Sequence, residues 1–150
     1  GGNTISDNAG QGVGARSASV LIGDPNFGFS SVNTITGNGN VDAPGGVFGF
    51  LGSSLVIRNA VISGNKGFGL GLSLKSDGQL SSSTIQNNSG DGIRLIFGSG
   101  LFIAQPNTVV SGNGGFGLQC TDGESSVVNA LFLSLSGNGV GDVSGSCTGF

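Results

Sequence analysis

An asparagine recurs along this chain at nearly regular intervals, each time three residues after an aliphatic side chain. The intervals are 30, 27, 23, 25 and 25 residues. The six anchor asparagines are Asn8, Asn38, Asn65, Asn88, Asn113 and Asn138. The aliphatic partners are Ile5, Ile35, Ile62, Ile85, Val110 and Leu135. Self-similarity at this period is typical of a solenoid, in which each repeat stacks on the next.

A second pattern follows the anchors. In four units glycine stands two and four residues after the asparagine, and an aliphatic residue stands at five, as in "NKGFGLGL" (65–72). Alternation of apolar positions after the glycines is typical of a strand with one buried face. Between this strand and the one before it, we expect the anchor asparagine to take the left-handed conformation that turns a corner. We expect the glycines to supply positive φ angles there.

A third short apolar segment completes each unit, as in "SVLI" (19–22), "SLVI" (54–57) and "GLFI" (100–103). Three short strands per unit predict an all-β fold, a parallel β-helix of about six coils with three short strands per coil. We expect one domain over residues 1–150, with coils starting near 3, 33, 60, 83, 108 and 133 and a C-terminal tail at 139–150. A helical fold is excluded because 32 residues are glycine and no apolar pattern has a period of 3.6. Stacked asparagines should hydrogen-bond to each other from coil to coil.

The units "NTISDN", "NTITGN", "AVISGNKGFGLGL" and "STIQNNSGDGIRL" resemble the repeats of right-handed parallel β-helix proteins. That pectate-lyase-like superfamily includes pectate lyases, polygalacturonases, alginate epimerases and many secreted bacterial proteins. The resemblance extends from Asn3 to about Val143 and implies the right-handed form of the fold. It implies little about activity, because the shared motif is structural.

The relatives that are enzymes use clustered carboxylates, calcium beside an Arg or Lys base, or a Tyr and a His. This chain has no His, Tyr or Trp, and most of its acids stand in turn contexts. The closest approach to a catalytic pattern is Asp91 with Arg94 and, one coil earlier, Lys75 with Asp77. We interpret these four as solvated charges on the outer wall. The sequence therefore predicts a non-catalytic member of the superfamily with no catalytic residue, no metal site and no cofactor.

Charge and hydropathy limit the partners. The net charge is −3, which argues against nucleic acid, and no apolar run approaches twenty residues, which argues against membrane insertion. Cys120 and Cys147 are either a disulfide or two buried thiols. Their place near the end of the repeats favours the disulfide and hence an oxidising compartment. Together with the resemblance, this predicts a secreted or cell-surface protein of bacterial origin.

The two ends of the array differ. No capping segment precedes the first repeat, and the chain starts at Gly1 without a Met, so either upstream coils are missing or something stacks on the first coil. We expect Asn3, Thr4, Ile5 and Ser6 to form a self-association surface. At the other end, we expect the tail with Cys147 to be stapled across the last coil.

These observations favour a non-enzymatic extracellular structural solenoid that associates with copies of itself head to tail, into a fibre or surface assembly. A carbohydrate-binding or adhesive module, with extracellular polysaccharide as partner, is one alternative. A fragment of a polysaccharide lyase or hydrolase whose active site lies elsewhere is the other.

Overall fold

The computed structural model describes residues 2–23, 31–40, 44–144 and 147–149. In this part of the chain there are seventeen short strands and one turn of 3-10 helix, η1 (Ala130–Phe132), between β15 and β16. In chain order the strands are β1 (Thr4–Ser6), β2 (Val13–Arg16), β3 (Ser19–Ile22), β4 (Asn33–Thr36), β5 (Val47–Phe50), β6 (Ser54–Arg58), β7 (Ala60–Ser63), β8 (Leu70–Ser73), β9 (Asp77–Ser81), β10 (Thr84–Gln86), β11 (Ile93–Ile96), β12 (Gly100–Ile103), β13 (Thr108–Ser111), β14 (Phe116–Cys120), β15 (Ser126–Val128), β16 (Leu133–Ser136) and β17 (Gly141–Val143).

Each strand pairs in parallel with the strand three places later, so the chain winds through three sheets in turn. The first sheet runs β1-β4-β7-β10-β13-β16, the second β2-β5-β8-β11-β14-β17 and the third β3-β6-β9-β12-β15. The predicted parallel β-helix with three strands per coil is confirmed. The coil count differs slightly, because the described residues form five complete coils and a sixth with two named strands.

The core consists of aliphatic columns that run along the axis. Register places Ile5 beside Ile35, Ile35 beside Ile62 and Ile62 beside Ile85, so the same repeat position stacks in every coil. In the middle coils these side chains are fully buried. Because parallel strands stack about 4.8 Å apart, each coil contributes one layer of core.

The anchor asparagines form the predicted ladder beside this core. The backbone N–H and the side-chain Nδ2 of each of the first five anchors both donate to the Oδ1 of the anchor in the next coil. The Nδ2–Oδ1 distances lie between 2.8 and 3.2 Å. The four middle anchors are at most 1% exposed. Stacking thus satisfies the polar groups of side chains that would otherwise be costly to bury.

The expectation that the anchor asparagines adopt the left-handed conformation is wrong. The left-handed residue is the one directly before each anchor, with φ between 52° and 68°: Asp7, Gly37, Gly64, Asn87, Gly112 and Gly137. None of the six anchors has a positive φ. Because the preceding residue makes the turn, the anchor side chain is free to point inward and stack.

The glycines after the anchors also have a different role from the one expected. Gly69 does not have a positive φ. A Cβ at Gly69 would instead lie 2.7 Å from Asn88 Nδ2 and 2.8 Å from the carbonyl oxygen of Gly92. Gly12 shows the same crowding, with Asn38 Nδ2 2.8 Å from the added carbon. Glycine is needed here because the isoleucine and the asparagine of the next coil occupy the space of a side chain.

A second polar ladder, which the sequence analysis missed, lies at the corner between the second and third sheets. In each rung a backbone N–H donates to the Oγ of a serine in the next coil. The rungs run from Ala18 to Ser53, then to Ser76, Ser99 and Ser125. Ser53, Ser76 and Ser99 each donate Oγ–H to a carbonyl three residues earlier. The buried serines of this ladder are Ser53, Ser76, Ser99 and Ser125.

The first testable prediction concerns the asparagine ladder. Asn65 accepts hydrogen bonds from Asn38 and donates to Asn88 and to the carbonyl of Ile35. Replacing Asn65 by Leu leaves these buried partners unsatisfied, so we expect the unfolding free energy to fall by about 3 kcal/mol or more in urea titrations. The control, Lys66→Ala, changes an exposed neighbour and should cost less than about 0.5 kcal/mol. Equal losses in the two variants would contradict the ladder's importance.

The second prediction concerns close approach. We expect Gly69→Ala to lower the unfolding free energy by about 1–3 kcal/mol, because the added methyl group has no room. Gly10→Ala is the control, since nothing lies within 4 Å of a Cβ at that position and its φ is not positive. Thermal or urea unfolding of both variants makes the comparison. A Gly69→Ala protein as stable as Gly10→Ala would show that the coils can move apart without cost.

Candidate functional site

The first coil leaves the edge of all three sheets open within the described residues. β1, β2 and β3 each stand at the end of a sheet and pair on one side only. The predicted self-association residues Asn3, Thr4, Ile5 and Ser6 lie on or directly before β1. Ile5 is half-buried, whereas Ile35 above it is 1% exposed.

Hydrogen bonds show which groups of β1 face the open edge. The N–H of Thr34 donates to the carbonyl of Asn3 at 2.8 Å, and the N–H of Asp7 donates to the carbonyl of Thr36 at 3.2 Å. Because amide directions alternate along a strand, the N–H of Ile5 faces β4 like that of Asp7. The N–H groups of Thr4 and Ser6 therefore face away from the solenoid.

The direction of the asparagine ladder decides which side-chain hydrogen-bonding groups are unused at the open edge. Asn8 donates its N–H and Nδ2 to Asn38 Oδ1, at 3.1 and 2.8 Å. Every rung of the ladder points the same way, so the Oδ1 of Asn8 receives no hydrogen bond from the described residues. Asn3 behaves alike, since its Nδ2 donates to Asn33 Oδ1 at 3.2 Å. The first coil therefore presents side-chain acceptors.

The last coil has an unused hydrogen-bond donor at the same ladder, within the described residues. Asn138 accepts from Asn113 through its Oδ1, and its backbone N–H has no acceptor among the described residues. Its Nδ2 donates to Asp142 Oδ1 at 2.9 Å and to two carbonyls at 3.3 Å. An acidic side chain thus occupies the place that the asparagine of a further coil would take.

The tail does not lie across the last coil as expected. Residues 147–149 continue the third sheet in parallel, where Val127 N–H donates to the carbonyl of Thr148 at 2.9 Å. The predicted disulfide is confirmed, with Cys120 and Cys147 Cα atoms 4.9 Å apart. It joins the fifth coil to the sixth, and their parallel stacking leaves the end of the solenoid uncovered by this segment. Of the predicted tail 139–150, residues 145, 146 and 150 lie outside the described residues.

Asp122 lies at the corner between the second and third sheets in the fifth coil. Its carboxylate accepts hydrogen bonds from the backbone N–H groups of Phe97, Gly98, Glu124 and Ser125. Slight burial acts to raise the pKa of this carboxyl, but the hydrogen bonds from Phe97, Ser125 and Glu124 outweigh it and hold the pKa below its ordinary value of 3.8. Asp122 therefore acts as a charged cap in the fifth coil.

The charged groups considered as catalytic candidates have other contacts. Asp91 is 3% exposed, pairs with Arg94 at 2.7 Å and accepts the N–H of Phe116 at 2.8 Å. The Arg94 guanidinium lies 5.4 Å from the centre of the Phe68 ring. No ion pair joins Lys75 to Asp77 in the described part of the chain. The interpretation of Asp91 as a solvated charge is therefore wrong: its carboxylate is buried, fixes a corner and orients Arg94, which is a structural role.

Neither a metal cluster nor a membrane-spanning helix is found in the residues that the structure describes. No group of three or more His, Cys, Asp or Glu side chains is placed to hold a metal ion. No helix among these residues is long and apolar enough to cross a membrane.

One comparison with known proteins finds a relationship. The family model described as "Right handed beta helix region" matches residues 1–132. No curated protein and no solved structure matches the chain.

The third prediction follows from the Asp122 cap. Because the folded-state pKa is lowered, the stabilisation is fully present above pH 3.8 and is lost as the pH falls through the folded value. We expect Asp122→Asn to be less stable than the parent near neutral pH, and the difference to shrink on acidification, as followed by urea unfolding at several pH values. Asp77→Asn, an exposed control, should cost less than about 0.5 kcal/mol near neutral pH. A difference that grows on acidification would contradict the assignment.

Proposed function

This chain belongs to the family of right-handed β-helix proteins, and we propose that it is a non-catalytic extracellular structural solenoid that associates with copies of itself head to tail. The observation that carries the proposal is the common direction of the ladder bonds. It leaves the acceptor of Asn8 at one end and the N–H of Asn138 at the other.

The two ends have complementary hydrogen-bonding groups, so the last coil of one copy can stack on the first coil of the next. In each rung, the earlier asparagine donates to the Oδ1 of the later one. Stacking the last coil of one copy on the first coil of another gives the backbone N–H of Asn138 an acceptor in Asn8 Oδ1. The Nδ2 of Asn138 joins the rung when the side chain of Asp142, which accepts from it in the single chain, turns out of that place. Pairing two first coils would instead oppose acceptor to acceptor. The contact is therefore heterologous and propagates into a filament.

Backbone and apolar groups support the same arrangement. The outward N–H groups of Thr4 and Ser6 require partners that a parallel strand supplies. Beside them, Ile5, Leu21, Ile22 and Ile35 line a depression of about 350 Å³ at the corner between the first and third sheets. Covering this apolar surface would contribute about 25 cal/mol for each Å² removed from water.

The non-catalytic part of the proposal is supported by the contacts of the charged side chains. Asp91, Asp122 and Asp142 are engaged in corners and ladder ends, and catalysis by paired carboxylates needs groups that face a substrate. Release of reducing or unsaturated ends from a polysaccharide by the purified chain would overturn this part. The extracellular part is supported by the disulfide, because such bonds persist in oxidising compartments.

The fourth prediction tests association at β1. Replacing Thr4 by Pro removes an N–H that faces the open edge and leaves the bonds to β4 in place. We expect the 150-residue chain to show an average mass that rises with concentration in light scattering, and Thr4→Pro to abolish that rise. Circular dichroism should show that the strand content is unchanged.

Thr4→Ala is the matched control, because it removes the side chain and keeps the N–H. It should associate like the parent chain. A parent chain that stays monomeric at high concentration would overturn the proposed association. Equal association of Thr4→Pro and Thr4→Ala would show that copies meet through another surface.

A further inference from the structure

A groove lies on the outside of the solenoid where the third sheet turns into the first, in the second to fourth coils. It has a volume of about 480 Å³, which is in the range of small-molecule sites. Its floor is made of small side chains, since Ser81 stands beside Arg58 in the register and Ala104 follows in the next coil. Larger side chains on three successive coils rise around that floor.

One wall carries the positive charge of Arg58. Arg58 is half-buried at the end of β6, and no acidic side chain pairs with it in the described part of the chain. A guanidinium at the wall of a groove presents a planar fork of donors that fits a carboxylate.

The remaining walls combine amides with one aromatic ring. Gln79 lies between Val56 and Phe102 in the same outward column, and Gln105 lies at the adjoining corner. Neither glutamine side chain has a hydrogen-bond partner among the described residues. Phe102 is 41% exposed. Amides both donate and accept, so they match hydroxyl groups, while an exposed ring face accommodates a C–H face of a ligand.

We propose that this groove binds a small hydroxylated carboxylate about the size of one sugar unit. Arg58 holds the carboxylate in a bidentate pair. Gln79 and Gln105 exchange hydrogen bonds with the hydroxyl groups, and Phe102 covers the apolar face. The groove shares no lining residue with the depression at the first coil, so the proposal does not depend on the proposed self-association.

Calorimetric titration with four probes tests the proposal: glucuronate, gluconate, acetate and glucose. We expect binding of glucuronate or gluconate, which distinguishes a ring-shaped from an open-chain ligand. Acetate lacks the hydroxyl groups and glucose lacks the charge, so both should bind at least about tenfold more weakly, since one hydrogen bond to a charged group corresponds to about that factor.

Two pairs of variants locate the site. Arg58→Gln should weaken binding about tenfold or more, whereas Arg16→Gln makes the same change at an exposed arginine on the second sheet and should leave binding unchanged. Phe102→Ser should weaken binding, and Val128→Ser, at the next position of the same outward column, should not.

Three results would overturn the proposal. The first is no binding of glucuronate or gluconate at any soluble concentration. The second is equal binding by Arg58→Gln and the parent chain, with circular dichroism showing both to be folded. The third is binding of glucose or acetate as tight as that of the hydroxylated acids.

Discussion

Hydrogen bonding between equivalent asparagines on successive coils is the constraint on which the rest of the structure depends. Asn65 donates to Asn88, accepts from Asn38 and donates also to the carbonyl of Ile35, so one buried side chain joins three coils. Because side chains alternate between the two faces of a strand, a slip of one residue would turn the aliphatic columns outward. A buried amide that has partners only in one alignment prevents such a slip.

The same stacking explains the unusual composition. Every coil lies about 4.8 Å from the next, and the asparagine of one coil fills the space of a side chain above Gly69 and Gly92. Small residues are therefore required where the ladder passes. Only 9% of residues are charged, and the buried ladder positions are held by Asn and Ser, whose side chains are neutral.

Direction in the ladders gives the solenoid two different ends, and near the C-terminal end two acidic side chains accept the donors of a ladder and a corner. Asp142 takes the Nδ2 of Asn138, and Asp122 takes the amides of the corner at Phe97 and Gly98. At the other end, Asn8 and Asn3 keep free acceptors among the described residues. The proposed association uses this difference, whereas the groove near Arg58 uses only the outer wall. The proposed association and the proposed ligand binding thus use separate surfaces.

The sequence by itself determined the fold, the coil alignment and the asparagine ladder, because an aliphatic residue stands three positions before the anchor in every unit. It favoured the disulfide between Cys120 and Cys147 only through their place near the end of the repeats. Tertiary structure decided what depends on contacts between coils. The serine ladder escaped notice because Ser53 and Ser76 stand at different distances from their anchors, as the loops between them differ in length. Steric demand at Gly69 becomes visible only when Asn88 is stacked above it. Arg58, Gln79 and Phe102 are far apart in the chain, and they meet because parallel register places every third strand side by side.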